Sequence, residues 1–589
     1  MKNISASLRL CVLIFVTSVV TASQTVPAPK DTLGFTPGDD RKLASWASIV
    51  DYFKKLDAAS DRAIFEEIGK TTMGAPFVYA TISSPANLRQ LKKYEEINAK
   101  LADPRTIGGN PTGREGAPSR DTAAKQLIAQ GKTIVLITCG IHSTEVGSTL
   151  SSMLIAHRLA SSNDAEIKKI LDNTIILLVP SLNPDGVDIV KNWYDKTLGT
   201  PYEGTDPPEL YHKYVGHDNN RDWYAFTQVE TQLTVDKIHN VWHPQIVHEK
   251  GLEGITTNTT YDAWTPARAY SHYHGGVRIL SETASARLAT PVNIKFENLR
   301  GGAGGFDAKV ASEKFGHVWK GGEWKLANIT NYMTTTAFSL LNHAADNRER
   351  WLARFYEIGK EALRPRKEGE LFGYALNPSW EGQRIDAILR RAGVEIEGLA
   401  KELPKEAGVS NSSRIIRADQ PYFSFAMAIL ERQDYPHLLD ANGQPIAPYD
   451  VTAQTLALLM DIKVTAIDVP FETKESGFGW GSGGTSPPCN GSLNYGIYRS
   501  YNASMDEGWT RWVVEQYRFM IPGYYRYCSV KYESVLNSQI HAGLSKDSLG
   551  TIIFPDQSPN QILNGYAKGS MPDEYTGGVV KEGVENLKK

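Results

Sequence analysis

The sequence predicts an α/β protein, and three observations lead to that class. Two strand-like apolar runs, 133–138 and 174–179, stand on either side of an apolar-faced helical pattern at 147–159. A second helical pattern at 228–241 is followed by two more runs, 244–248 and 277–282. The same alternation then starts again beyond residue 371. Helices with one apolar stripe need a surface to bury it against, and a sheet supplies that surface, so alternating elements assemble in layers.

Taken in order, Trp46, Ile49, Val50, Phe53 and Leu56 recur at helical spacing, and 77–82 reads as a strand. Residues 104–121 are rich in Gly, Pro, Arg and Ser and read as a surface loop. After the central alternation, a helix is expected over 342–361, closing a first domain that begins near residue 40 and ends at 363. Residues 364–371 are charged, contain Pro365 and read as a linker. The region 371–589 opens with a strand at 371–376 and a helix at 382–392. A Gly-, Ser- and Pro-rich loop at 474–492 leads to a strand near 496–501, a helix near 508–517 and a strand at 551–556. The last segment, 580–589, opens an amphipathic helix with no strand after it, so this second α/β region reads as incomplete.

Composition narrows the function class. The chain has 589 residues, with 41% hydrophobic and 22% charged residues and a net charge of −3, which is ordinary for a soluble globular protein and gives no pull toward nucleic acid or acidic membranes. Lys2 and Arg9 precede an apolar run from Leu10 to Val20, and the small residues Thr21, Ala22 and Ser23 follow. That order is a secretory signal peptide over 1–23, and it predicts a secreted or periplasmic protein. No later segment is apolar enough to span a membrane, and nothing specifies an oligomeric state. Cys11 leaves with the signal, and Cys139, Cys489 and Cys528 remain, with Cys489–Cys528 the expected pair if a disulfide forms.

Four motifs carry chemistry. In Thr138-Cys-Gly-Ile-His142-Ser-Thr-Glu145 a buried strand ends, the chain turns at Gly140, and a His and a Glu sit three apart where a helix begins. Residues at that spacing share one face and can reach one metal ion. Zinc takes imidazole nitrogen and carboxylate oxygen, with three protein ligands at a catalytic site. His248, at the end of a predicted strand, is the best third supplier. Pro180-Ser-Leu-Asn183-Pro-Asp-Gly186 reads as a turn. In His217-Asp-Asn-Asn220-Arg221-Asp-Trp223, an Arg able to grip a carboxylate by two parallel hydrogen bonds stands beside an Asn.

The order of these pieces resembles the zinc metallocarboxypeptidase family of carboxypeptidase A, over about residues 40–370. The resemblance implies a mixed central sheet flanked by helices, one zinc ion, and a peptide substrate with a free C-terminal carboxylate. His142, Glu145 and His248 resemble the zinc ligands, and Asn220 and Arg221 the pair that holds the terminal carboxylate. Glu282 fits the place of the general base, with Glu297 as its rival. Tyr261 resembles the substrate-capping Tyr, with Tyr270 and Tyr273 as rivals. Zinc then polarises the scissile carbonyl and activates water, whose proton Glu282 accepts.

Two departures stand out. The Arg that the family places after the Asn-Pro-Asp-Gly turn is missing from Lys191-Asn-Trp-Tyr-Asp-Lys196, where Lys196 could act only as a point charge. Loss of such a donor costs about 2.7–4 kcal/mol of transition-state stabilisation. The interval from His248 to Glu282 is also short for the family. Two alternatives therefore stand beside a metallocarboxypeptidase: an amide deacylase or cell-wall peptide hydrolase on the same zinc, and a catalytically impaired secreted peptide-binding protein. The C-terminal third resembles, more weakly, a class I glutamine amidotransferase-like domain, carried by Tyr498-Arg-Ser-Tyr-Asn-Ala-Ser-Met-Asp-Glu-Gly-Trp and Pro555-Asp-Gln-Ser-Pro, with no Cys–His pair for that activity.

Overall fold

The computed structural model describes residues 25–108, 119–251, 269–301, 307–312, 318–432, 439, 442–445, 456–475, 495–516, 519–520, 527–528, 531–544 and 549–588. The expected signal peptide, Tyr261, Cys489 and the loop at 476–494 lie outside these residues.

A six-stranded mixed sheet organises the first region. Its strands are β1 (Ala63–Lys70), β2 (Pro76–Ile82), β3 (Thr133–Thr138), β4 (Thr174–Val179), β5 (Ile246–Gly251) and β6 (Val277–Glu282), in the order β1-β2-β4-β3-β5-β6. β3, β4, β5 and β6 run parallel, whereas β2 is antiparallel to both β1 and β4. Every residue of β3 and β4 is buried, as expected for strands covered on both faces.

Alternate side chains feed two cores. Ile134, Leu136, Ile175 and Leu177 face one way, toward Tyr94, Ile97 and Leu101 of the helix Leu91–Ala102 and Leu352 and Phe355 of Arg348–Ala362. Val135, Ile137, Ile176 and Leu178 face the other, toward Trp46–Ala59, Val146–Ser161 and Leu326–Asp346. The single helix expected at 342–361 is two helices, broken at Asn347. The break has a packing reason, since Leu341 and Ala344 belong to one core and Leu352 and Phe355 to the other.

One predicted turn is a helix. Asn183-Pro-Asp-Gly opens Pro184–Thr197, with Asn183 as N-cap accepting from the Gly186 amide at 3.3 Å and Pro184 in the first turn. The tetrapeptide is as good a helix start as it is a turn.

Beyond residue 371 the described residues form two smaller sheets and a two-stranded ribbon, Phe519–Met520 with Tyr527–Cys528. Five antiparallel strands run in the order Val464–Ile467, Gly373–Leu376, Arg414–Arg417, Glu397–Leu399, Thr473–Lys474. Their Tyr374, Leu376 and Ile416, with Phe425, join the same core as Leu136 and Phe355, so this sheet is fused to the first region. Three parallel strands, Tyr532–Val535, Tyr495–Tyr498 and Thr551–Ile553, form the last sheet, over a small core of Tyr498, Val535, Ile540, Leu549 and Val579. The molecule is thus mixed α/β with additional C-terminal α/β elements. Among the described residues no helix is long and apolar enough to cross a membrane.

Candidate metal centre

The strand order reverses beside β3: the chain leaves β3 for β4 on one side and returns to β5 on the other. The carboxyl ends of β3 and β5 therefore stand at a topological switch point, the place where open α/β sheets collect ligands.

Gly140 makes the turn out of β3 with φ +60°, and a Cβ there would meet Thr149 Oγ1 at 2.3 Å and Ser181 Oγ at 2.9 Å. Only glycine combines that backbone with that closeness. Its amide donates to Ser148 Oγ at 3.1 Å, tying the turn to the helix Val146–Ser161. His142 and Glu145 follow, with Glu145 as the N-cap residue, where the helix end favours negative charge. His142 Nδ1 lies 2.9 Å from Glu145 Oε1. As a hydrogen bond this contact has Nδ1 donating and the carboxylate accepting. His142 Nε2 and Glu145 Oε2 are both buried without a hydrogen-bond partner. Two such atoms in the folded state cost about 1–3 kcal/mol each when nothing satisfies them. A divalent cation fits Nδ1 and Oε1, which converge at 2.9 Å and can both face one ion once the shared proton is released.

His248 departs from its expected place. The strand predicted to end at His248 runs on to Gly251, so His248 sits within the ladder, beside Ile137 of β3 and Ile279 of β6. Its Nε2 is 2.6 Å from Ser281 Oγ. Among the described residues no three His, Cys, Asp or Glu side chains converge as a metal-binding group. The structure thus assembles the His142–Glu145 pair and leaves His248 one strand away, engaged with β6. Of the three expected ligands, the structure brings His142 and Glu145 together.

The Asn-Arg segment does come to the pair. It lies in the 3-10 stretch Gly216–Tyr224, and Asn219 Nδ2 donates to the carbonyl of Ile141, the residue before His142. His217 stacks on His142 with ring centroids 3.8 Å apart, and Tyr211 donates to or accepts from His217 Nδ1 at 3.0 Å. Neither His217 nor Tyr211 had been assigned a role from sequence, although His217 opens the Asn-Arg motif. Arg221 donates to Asn220 Oδ1 at 2.7 Å and stands 3.7 Å from Asp218. Asp222 is buried and accepts from the Thr227 and Gln228 amides at 2.8 Å, and burial raises its carboxyl to about 6.

The Asn-Pro-Asp-Gly motif supports the pair from below. Asp185 accepts from Thr71 Oγ1 at 2.6 Å and from the Met73 amide at 2.9 Å, fastening the β1–β2 turn to the helix start. A Cβ on Gly186 would come within 2.2 Å of Ser143 Oγ and 2.3 Å of the Tyr211 carbonyl. Gly186→Ala is therefore expected to destabilise the fold by about 1–3 kcal/mol and to loosen Ser143 beside His142, read as a lower melting temperature and a smaller zinc-induced rise in it.

The remaining candidates fall apart from the pair or outside the described atoms. Lys196 is three turns down its helix and donates to Glu574 Oε1 at 3.0 Å and Tyr575 Oη at 2.8 Å, so the place of the missing Arg stays unfilled by it. Glu297 is exposed on a surface turn, Phe296–Asn298. Glu282 ends β6 opposite Gly251, and its side chain lies outside the described atoms, as does the whole of Tyr261. Tyr270 is 1% exposed, stacked on His274 and edge-on to His239, Phe226 and Phe425, which rules out a mobile cap. Tyr273 is half-buried against Phe425. Cys139 is buried at the end of β3.

Comparison with known families agrees with the motifs: residues 49–292 match the family model Peptidase_M14, zinc carboxypeptidase. That match supports a metallocarboxypeptidase, and so a peptide hydrolase, over this stretch. Comparison with curated proteins gives no match. Among solved structures, thrombin activatable fibrinolysis inhibitor is similar at 12% identity, covering 52% of this chain and 75% of its own, with a TM-score of 0.28. A metallo-carboxypeptidase from Burkholderia cenocepacia is similar at 15% identity, covering 51% and 69%, TM-score 0.28. Carboxypeptidase A from Helicoverpa armigera is similar at 13% identity, covering 55% and 79%, TM-score 0.28. Such scores carry no weight for the fold, which rests on the strand order above. No match supports the amidotransferase resemblance of the C-terminal third.

Proposed function

We propose that the chain is a zinc-dependent metallocarboxypeptidase acting outside the cytoplasm on peptides with a free C-terminal carboxylate. The observation that carries this reading is the largely buried His142–Glu145 pair, whose Nδ1 and Oε1 converge at 2.9 Å and whose neighbour Ile141 is tied to the Asn220-Arg221 segment. His142 and Glu145 would hold the ion, joined by His248 when its imidazole leaves Ser281. Bound there, zinc supplies Lewis-acid polarisation of a carbonyl and a lowered pKa for water.

The chain's own residues do the rest. Arg221, oriented by Asn220, receives the terminal carboxylate through charge-assisted hydrogen bonds. Asp218, 3.7 Å from Arg221, limits how much of that fork is open. Glu282, closing the strand next to that of His248, takes the proton of the attacking water and returns it to the leaving amine. By its resemblance to the family's capping Tyr, Tyr261 is the residue that would cover the substrate. The charged, apolar and small-residue order of 1–23 supports export.

Turnover of an N-blocked dipeptide acid and of its C-terminal amide tests the reading on the full chain with added zinc. The acid should be hydrolysed in a metal-dependent way and the amide at least about tenfold more slowly, since one charge-assisted pair is lost. Equal rates would overturn the carboxylate assignment. A second reading, a peptide-binding protein without turnover, is favoured by the engagement of Lys196 with Glu574 and Tyr575. It predicts zinc-dependent binding of the acid with no product.

A further inference from the structure

The segment that carries Asn220 and Arg221 is held from two sides. On the sheet side Asn219 bonds to Ile141. On the other side lies the helix Met505–Gln516 of the C-terminal region. Gly508 presses against this segment so closely that a Cβ would sit 1.8 Å from the Tyr214 carbonyl oxygen and 2.6 Å from Leu210 Cδ1. Arg511 donates to the Lys213 carbonyl at 2.7 Å while Glu507 holds its guanidinium at 2.7 and 3.0 Å. Glu515 accepts from Tyr214 Oη and, at 3.2 Å, from Lys213 Nζ. Trp509 Nε1 donates to Asp218 Oδ2 at 3.4 Å, and Asp218 Oδ1 is the oxygen 3.7 Å from Arg221.

We infer that the C-terminal helix is part of the carboxylate-recognition apparatus, with Trp509 as a positioning residue that acts through Asp218 on Arg221. Asp218, three residues from Arg221 and 3.7 Å from its guanidinium, competes with an incoming carboxylate for that group. The indole holds one oxygen of Asp218 toward the helix and so weakens the hold of that carboxylate on Arg221. Arg511 and Glu515 fix the backbone on which this balance rests. The inference depends on the reading of Arg221 as the carboxylate anchor, and it assigns the C-terminal region a role in affinity rather than in chemistry.

Steady-state kinetics of Trp509→Phe in the full chain test it, with Asp218→Asn and the double variant alongside. Phenylalanine keeps the ring and removes the N–H donor. Trp509→Phe should raise KM for the peptide acid by about fivefold to tenfold, with kcat within about twofold and KM for the amide unmoved. Asp218→Asn should remove the competitor, so adding Trp509→Phe to it changes KM no further. Additive effects, or a fall in kcat with KM unchanged, would overturn the inference and leave the carboxylate reading intact. A wild-type chain that treats acid and amide alike overturns the reading and the inference together. If Trp509→Phe unfolds, the Asp218→Asn variant still decides, because an unchanged KM for the acid there excludes competition for Arg221.

Discussion

Glu145→Ala is expected to weaken the zinc affinity of the purified full chain by more than about a hundredfold, leaving it with little zinc, and His142→Ala to do the same. Removing a group that merely orients a ligand costs 10–100-fold in affinity, so removing a ligand costs at least that. Turnover of the peptide acid should fall by about a thousandfold, because polarisation by the ion is worth several kcal/mol and each 1.36 kcal/mol is a factor of ten. Metal analysis reads the first effect and initial rates the second. A third readout is free of activity: zinc should raise the melting temperature of the wild type and leave that of Glu145→Ala unmoved. Glu297→Gln, on the exposed turn, should behave as wild type in all three. His248→Ala is the informative partner. If it retains full zinc occupancy, the ion is held by the His142–Glu145 pair with other groups, and His248 belongs to the β5–β6 ladder alone.

Acid is expected to destabilise the fold through His239. This imidazole is 6% exposed, edge-on to Tyr270 at 5.0 Å and Trp223 at 5.7 Å. Burial, then the neighbouring His274 and His243, push its pKa down to about 3. In the unfolded chain it titrates near the ordinary value of about 6.5. Unfolding therefore takes up a proton between those values, so the contribution of His239 is whole above pH ~6.5 and declines as the pH falls toward about 3. The slope is about 1.4 kcal/mol per pH unit, or about 2 kcal/mol lost by pH ~5. His243, pushed down to about 4 by burial and then by His274, adds to it over a shorter window. The groups around them are Tyr270, His274, Tyr422, Asp236 and Arg391. Chemical unfolding between pH 7 and 5 should show a shallower loss in His239→Phe than in wild type, by about one proton. Equal slopes would mean that this site opens to water before it titrates.

The buried strands were legible because their signal is local. Thr133–Thr138 and Thr174–Val179 are continuous apolar runs of strand length, and the structure places every residue of both in the core. The half-exposed strand Ala63–Lys70, with its bulge between Glu67 and Gly69, has no such run and was not read as a strand. Asn183-Pro-Asp-Gly was read as a turn because its side chains suit both a turn and a helix cap. The choice fell to packing, through Asp185 on Thr71 and Met73 and through the space that only Gly186 leaves for Ser143.

The site divides in the same way. His142 and Glu145 are three residues apart on one helix start, so chain geometry alone sets their meeting, and the sequence determined it. The position of His248 depended on where β5 ends and which neighbour its ring finds, and Ser281, on a different strand, took the contact. Likewise no local pattern connects Trp509 with Asp218, 291 residues away. Spacings within one element are fixed by covalent geometry, whereas encounters between elements are fixed by strand order and packing. That is why the meeting of His142 and Glu145 was determined by sequence, and why the tertiary structure alone decided the surroundings of His248 and the support behind Arg221.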